Sequence, residues 1–373
     1  MKLNVNMTVK ARAIVGRPLK AIALTLLGIC LTLPLSLISL AAPAHAASCT
    51  LRIIGWEGYM DESFAKPFEE EYGCKVVPTY AGSSDEMYAK IRASKGRTYD
   101  LVTASGDLTK RLYDSGLVEP LDLEKVPNYS ELFPIFKQPE YNTFDGTSYG
   151  VSIGWGPDFL IYDRSVVKSE PKSWNVLYDE KYKGKISLPD YPIFSADIAL
   201  WGAGKSDIYG LDKATLDSDI KPKLFELRPQ VRKFWSSQGE LSQLFLNKEV
   251  ALAWAWPVTI EELKRADFPI GATIPEEGAT GWSDSWMLLK GSKNADIALA
   301  WMNYMLTGPA QKAMSDVTGY WPVSTQVMPL LSEEQIASWH LDDLENYYSN
   351  IYFWKTVPNY DEWVALWSEF RGQ

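Results

Sequence analysis

The chain has 373 residues, with 37 Lys+Arg against 47 Asp+Glu, 2 His, 3 Cys and 15 Trp, a length that suggests two or more domains with cores of their own. A formal net charge of −10 excludes nucleic acid and anionic membrane as natural partners, since both need a basic face. So few histidines and cysteines exclude a Cys-rich zinc or iron–sulfur centre, and the tryptophans exceed what one core need consume.

Lys2, Lys10, Arg12, Arg17 and Lys20 form a basic leader without acids, and an apolar stretch over 21–42, broken by Pro34, runs into Ala44-His45-Ala46. This small-x-small exit predicts a signal peptide over residues 1–46. The stretch is also long enough to span a bilayer; Pro34 and the Ala-rich exit favour cleavage, and no later segment is apolar enough to span. Without the leader, 32 bases face 47 acids, a charge of −15. Cys49 and Cys74 then remain, in an exported compartment that permits disulfides.

Cys49 opens a first strand over 49–54 and Cys74 a second over 74–77. In a β-α-β unit both strands start at the same sheet edge, which predicts a Cys49–Cys74 bridge. Lipidation of Cys49 is the alternative, although Ala46 stands where a lipidation signal usually has Leu. Between the strands, 61–72 reads as a helix with Phe64, Phe68 and Tyr72 in one row, stopped by Gly73 and interrupted by Pro67. Ser83-Ser84-Asp85-Glu86 is a capping box for a helix through 93. A third strand over 99–104 follows, and Ser105-Gly106-Asp107 should cap the helix around Leu112. Residues 250–256 alternate bulky residues with alanine as a strand. A helix over 294–306 should end at Gly308-Pro309, and Trp363, Leu366, Trp367 and Phe370 form a helical stripe that belongs in a core. Strands alternating with amphipathic helices indicate an α/β protein.

Catalytic motifs are weak. Gly204-Lys205-Ser206 imitates a phosphate-binding loop, but Ala199 stands where the first glycine is required, so it reads as an exposed helix end. His340 lies in a polar context and reads as a surface histidine, and metal ligands at helical or hairpin spacing are absent. Acids beside aromatics would suit a glycosidase pair with stacking platforms. They also suit recognition of alkylammonium groups, which aromatic faces attract and a carboxylate neutralises. Trp56-Glu57-Gly58-Tyr59, Ser105-Gly106-Asp107 and Trp282-Ser283-Asp284 combine the two residue kinds where strands end, the binding edge of an open α/β sheet.

Ile54-Gly55-Trp56-Glu57-Gly58-Tyr59, the 99–102 strand, Ser173-Trp174-Asn175-Val176-Leu177-Tyr178, Tyr182-Lys183-Gly184-Lys185-Ile186, Pro275-Glu276-Glu277-Gly278-Ala279 and Gly319-Tyr320 occur in the order of one family. The protein resembles bacterial periplasmic solute-binding proteins of the spermidine/putrescine-binding group, which serve ABC transporters. That resemblance implies a two-lobed periplasmic-binding-protein fold of type II-like form with the ligand cleft between the lobes. Lobe one would comprise 49–157 plus 284–328, and lobe two 158–283 plus 329–373. It further implies a periplasmic monomer without cofactor, metal or catalytic activity, whose partners are a small amine and an ABC permease.

By the same resemblance the family's aromatic box falls on Trp56, Tyr59, Trp256, Trp282 and Tyr320, its amine-binding acid on Asp284 and a polar contact on Ser105. The departures are specific. The acid expected in the first loop falls on Gly58, leaving Glu57 beside it, and Asp107 replaces a residue that is usually aromatic. In the loop 189–194, Tyr191 and Phe194 stand where acids are typical. With only Asp190 nearby in that loop, an anchor for one cationic end survives and the second is rearranged or gone, and removing a buried counter-charge costs several kcal/mol. The expected ligand is a polyamine; a monoamine, a quaternary ammonium or another nitrogenous metabolite is the rival, and a carbohydrate-active enzyme is the rival class.

Overall fold

The computed structural model describes residues 49–349 and 351–372; the predicted leader lies outside them. Strand β1 (Cys49–Gly55) and strand β2 (Cys74–Tyr80) are parallel, with Cys49 directly opposite Cys74. Helix α1 (Glu62–Tyr72) returns the chain to the same edge, and the two cysteines are bridged, their Cα atoms 4.4 Å apart. Asp61 caps α1 by accepting the Ser63 N–H at 2.9 Å, Pro67 lies inside without ending it, and Gly73 at φ 63° stops it. Phe64 and Phe68 are buried, Phe68 edge-on to Trp301 at 4.9 Å. Helix α2 (Ser84–Ser94) is capped by Ser83, which accepts the Glu86 N–H at 3.2 Å.

Strand β3 (Leu101–Ser105) and helix α3 (Gly106–Asp114) follow. A small hairpin, β4 (Thr143–Phe144) and β5 (Thr147–Ser148), precedes β6 (Gly150–Pro157). After one residue, Asp158, the chain enters a second sheet built from β7 (Phe159–Asp163), β8 (Ile186–Pro189), β9 (Val231–Trp235), β10 (Leu252–Ala255) and β11 (Ile270–Thr273), ordered β11-β7-β10-β8-β9. Residues 274–279 lead back to the first sheet, where β12 (Thr280–Leu288) pairs antiparallel with both β3 and β6. All nine residues of β12 are buried. Strand β13 (Tyr352–Phe353) pairs with the start of β12. The last helix, Tyr360–Arg371, then packs against the second sheet: Trp367 lies 5.7 Å from Phe234, and its indole donates to Asp190.

The stripe Trp363, Leu366, Trp367 and Phe370 is buried as expected, each such side chain contributing roughly 1.5–3 kcal/mol. Trp155, Trp174, Trp235, Trp254, Trp286 and Trp301 are also fully enclosed, so packing accounts for much of the tryptophan surplus. Two expectations change. Gly308-Pro309 does not end the helix Ala295–Met305; it opens the next one, Gly308–Thr318, with Thr307 as cap and Pro309 in the first turn, where its missing N–H costs nothing. His340 is not a free surface group: it stacks on Tyr347 with ring centroids 3.7 Å apart, and burial holds its pKa below the ordinary value. Lys205, in the glycine–lysine turn, is paired with Asp219. Among the described residues no helix is long and apolar enough to cross a membrane.

Candidate functional site

The ends of β1, β3, β10 and β12 converge between the two sheets. Trp56, just past β1, donates its backbone N–H to Thr103 Oγ1 at 3.0 Å and its indole N–H to Ser105 Oγ at 3.1 Å. Ser105 ends β3 opposite Asp284 on β12. Its hydroxyl makes no helix cap; it donates to Asp284 Oδ1 instead, so the expected capping role of Ser105 is given up for the site. The Tyr59 hydroxyl donates to Asp284 Oδ2 at 2.8 Å. The β12–β6 register slips between Asp284 and Ser285, the kind of bulge that re-aims a side chain.

Leu252, Trp254 and Trp256 fall on one face of the β10 segment, which is why the alternation with alanine yields one wide face. Trp256 is the residue at which this segment turns into the helix Pro257–Arg265. Tyr320 follows Gly319, whose φ of 69° closes the preceding helix. Trp354 follows β13 and is fixed by its N–H to the Gly281 carbonyl at 2.9 Å. Trp56 and Trp256 meet edge-to-face at 5.3 Å, Trp256 and Trp354 at 6.0 Å, and Trp282 and Tyr320 at 4.6 Å. Together Trp56, Ser105, Trp256, Trp282, Asp284, Tyr320 and Trp354 enclose a cavity of about 10 Å³.

Six of the residues singled out from sequence therefore line one cavity: Trp56, Ser105, Trp256, Trp282, Asp284 and Tyr320. The other three do not line it. Tyr59 holds Asp284 from outside the lining. The Glu57 carboxylate accepts the Gln238 N–H at 2.8 Å. Asp107 accepts from Ser84 at 3.1 Å and from Tyr191. The sequence reading missed Trp354, whose signal was the aromatic run Tyr352-Phe353-Trp354. It also missed Asp158 and Asp197, both fully buried. Thr280 Oγ1 lies 2.5 Å from Asp158 Oδ2 and 2.6 Å from Asp197 Oδ1, and the Trp254 indole donates to Asp197 at 3.1 Å.

Burial dominates the electrostatics. It raises the Asp284 pKa to about 7 against the opposing hydrogen bonds from Ser105 and Tyr59. Asp197 is likewise raised to about 7 and Asp107 to about 6, while Asp158 is pushed well up by burial and by Asp197 beside it. The buried Asp163 is bonded by Lys248 at 3.1 Å, whereas no described lysine or arginine forms an ion pair with Asp284, Asp158 or Asp197. An uncompensated carboxyl inside an aromatic box has the chemistry that a cation would need.

Comparison with known proteins agrees with this architecture. The chain is 28% identical over 298 residues to the spermidine/putrescine-binding periplasmic protein of Escherichia coli, covering 78% of this chain and 82% of that protein. It is 24% identical over 325 residues to the putrescine/cadaverine-binding protein of Pseudomonas aeruginosa, covering 82% and 87%. A solved structure from Listeria monocytogenes, assigned to spermidine/putrescine ABC transport, superposes with a TM-score of 0.77 at 25% identity, over 87% of this chain and 99% of that one. Such neighbours are two-lobed binding proteins, and the two sheets with their mixed helices follow the same plan. With residues 63–363 matching the family model, the chain belongs to the bacterial extracellular solute-binding proteins.

Proposed function

We propose that this protein is the exported substrate-binding component of an ABC importer, and that its cargo is a polyamine or related organic amine held between the lobes. The carrying observation is Asp284: one buried carboxyl without a cationic partner, in a cavity whose remaining side chains are four tryptophans, a tyrosine and a serine. The polyamine-binding relatives support the ligand class, and the acid-free basic leader supports export. The lobes would be centred on the two sheets and close by hinge motion at Asp158, at 274–279 and in the C-terminal crossing. Delivery to a permease as a monomer without chemistry follows the same reading.

A glycoside-cleaving site would need two carboxyl groups facing one cavity, and Asp284 is the single carboxyl in this lining. Titration calorimetry of the leaderless protein against amines, amino acids and sugars tests the proposal. Heat with amines, with affinity weakened at least ten-fold in Asp284→Asn, is expected. Heat with sugars alone, or turnover of a glycoside, would end it.

A further inference from the structure

We infer that Asp158 is a positioning residue of the cavity. Held as a neutral carboxylic acid where the chain crosses between the sheets, it fixes the indoles of Trp256 and Trp354 at one end of a hydrogen-bond chain that runs through Thr280 to Asp197. The inference concerns the walls of the cavity and rests on the amine-receptor reading only for the ligand in one arm of its test.

Counting protons assigns the charge. Thr280 Oγ1 is 2.5 Å from Asp158 Oδ2 and 2.6 Å from Asp197 Oδ1. A hydroxyl has one hydrogen to donate, so it serves one carboxyl, and the other contact requires a proton on the acid. Asp197 Oδ1 also accepts the Trp254 indole N–H at 3.1 Å, as an ionised oxygen does, and so takes the Thr280 proton as well. The remaining proton then sits on Asp158 Oδ2, which donates to Thr280 Oγ1. The surroundings agree. Both acids are fully buried, and Tyr209, the other titratable group nearby, is kept neutral by burial. Burial and the charge of Asp197 push Asp158 well above the ordinary carboxylate range, whereas Asp197 reaches about 7.

A neutral acid keeps its other oxygen free to accept. Asp158 Oδ1 is buried without a close partner, and so are the indole N–H groups of Trp256 and Trp354, both of which are turned toward this carboxyl. One carbonyl oxygen has two lone pairs, so a small approach of the rings satisfies all three groups at once. Trp256 comes from the second sheet and Trp354 from the segment bonded to β12 of the first, with ring centroids 6.0 Å apart. Asp158 is the single residue between β6 and β7, and its N–H donates to the Thr280 carbonyl at 2.9 Å. One side chain at the crossing thus meets one wall of the cavity from each sheet and sets the gap between them.

Infrared difference spectra of the leaderless protein at pH 8, wild type minus Asp158→Asn, should contain a protonated-carboxyl C=O band. Asp284, Asp197 and Asp107, raised only to about 7 or 6, are largely ionised at that pH. Asp158→Leu should weaken putrescine binding roughly ten-fold and alter the near-ultraviolet dichroism of the tryptophans. Asp158→Asn should restore most of both, because its amide donates to Thr280 and keeps an oxygen for the indoles. Thr280→Val breaks the chain with little change in volume and should resemble Asp158→Leu, a comparison that stands if the leucine variant fails to fold. Absence of the band, asparagine as damaging as leucine, or wild-type dichroism in Thr280→Val overturns the inference. If the wild type gives no heat with any amine, the amine-receptor reading fails, while the band and the dichroism still decide the role of Asp158.

Discussion

Tyr191, in the loop after β8 of the second sheet, donates its hydroxyl to Asp107 at the start of α3 beside the first sheet. With the Gln238 N–H to Glu57 bond, this makes two polar ties between the sheets that require no ligand. Under the proposed hinge motion these ties would favour a closed arrangement without ligand, and cargo would shift that balance further.

Tyr191→Phe should tip that balance. Asp107 keeps Ser84 but loses its partner from the second sheet, at a cost of about 1–2 kcal/mol. The unliganded protein should then have a larger radius in solution scattering and roughly ten-fold weaker ligand affinity. An unchanged radius would mean that this tie does not hold the lobes.

Asp284→Asn should separate binding from folding. Cation affinity should fall by ~1.5–3 kcal/mol through loss of a charge-assisted hydrogen bond. The unliganded variant should melt higher at pH 8, because a buried carboxylate without a cation has been removed. Calorimetry and thermal melts read the two effects independently, and unchanged affinity would take Asp284 out of the site.

Proton linkage gives opposite trends for the empty and occupied protein. Asp284 and Asp197 are raised to about 7 and Asp107 to about 6, from 3.8. Between roughly pH 4 and 7 the native state therefore holds protons that the unfolded chain has lost, so stability of the empty protein falls as pH rises through this window. A cation at Asp284 favours the ionised form, so affinity should rise through the same window. Binding at pH 6 should release protons, visible as a dependence of the measured heat on buffer ionisation enthalpy. Affinity flat between pH 5 and 8 would contradict this.

The Cys49–Cys74 bridge closes a 25-residue separation. Reduction should cost about 3 kcal/mol in the loop-entropy model, measured as a lower denaturation midpoint under reductant. Two free thiols in the non-reduced protein would remove the bridge.

What could be read in advance followed how local each cause is. The β1-α1-β2 unit was legible because Asp61, Gly73 and the Phe64–Phe68 row act within a dozen residues, and the bridge followed from the parallel register. Ser105 was misread as a cap because its competing partner, Asp284, lies 179 positions away. Gly308-Pro309 was misread because the same pair serves a helix end or a helix start, and Thr307 decides between them. Trp354 escaped notice because β13 has two residues, too few for any periodicity. Asp158 and Asp197 look like ordinary acids until Thr280 joins them.

The four indoles around the cavity give the protein an optical signature. Trp56, Trp282 and Trp354 sit on the first sheet and Trp256 on the second, so the proposed parting of the lobes would carry Trp256 away from the other three. Intrinsic emission should therefore report occupancy without any added dye, and tryptophan-to-phenylalanine exchange at each of these positions in turn would show which ring the cargo touches first.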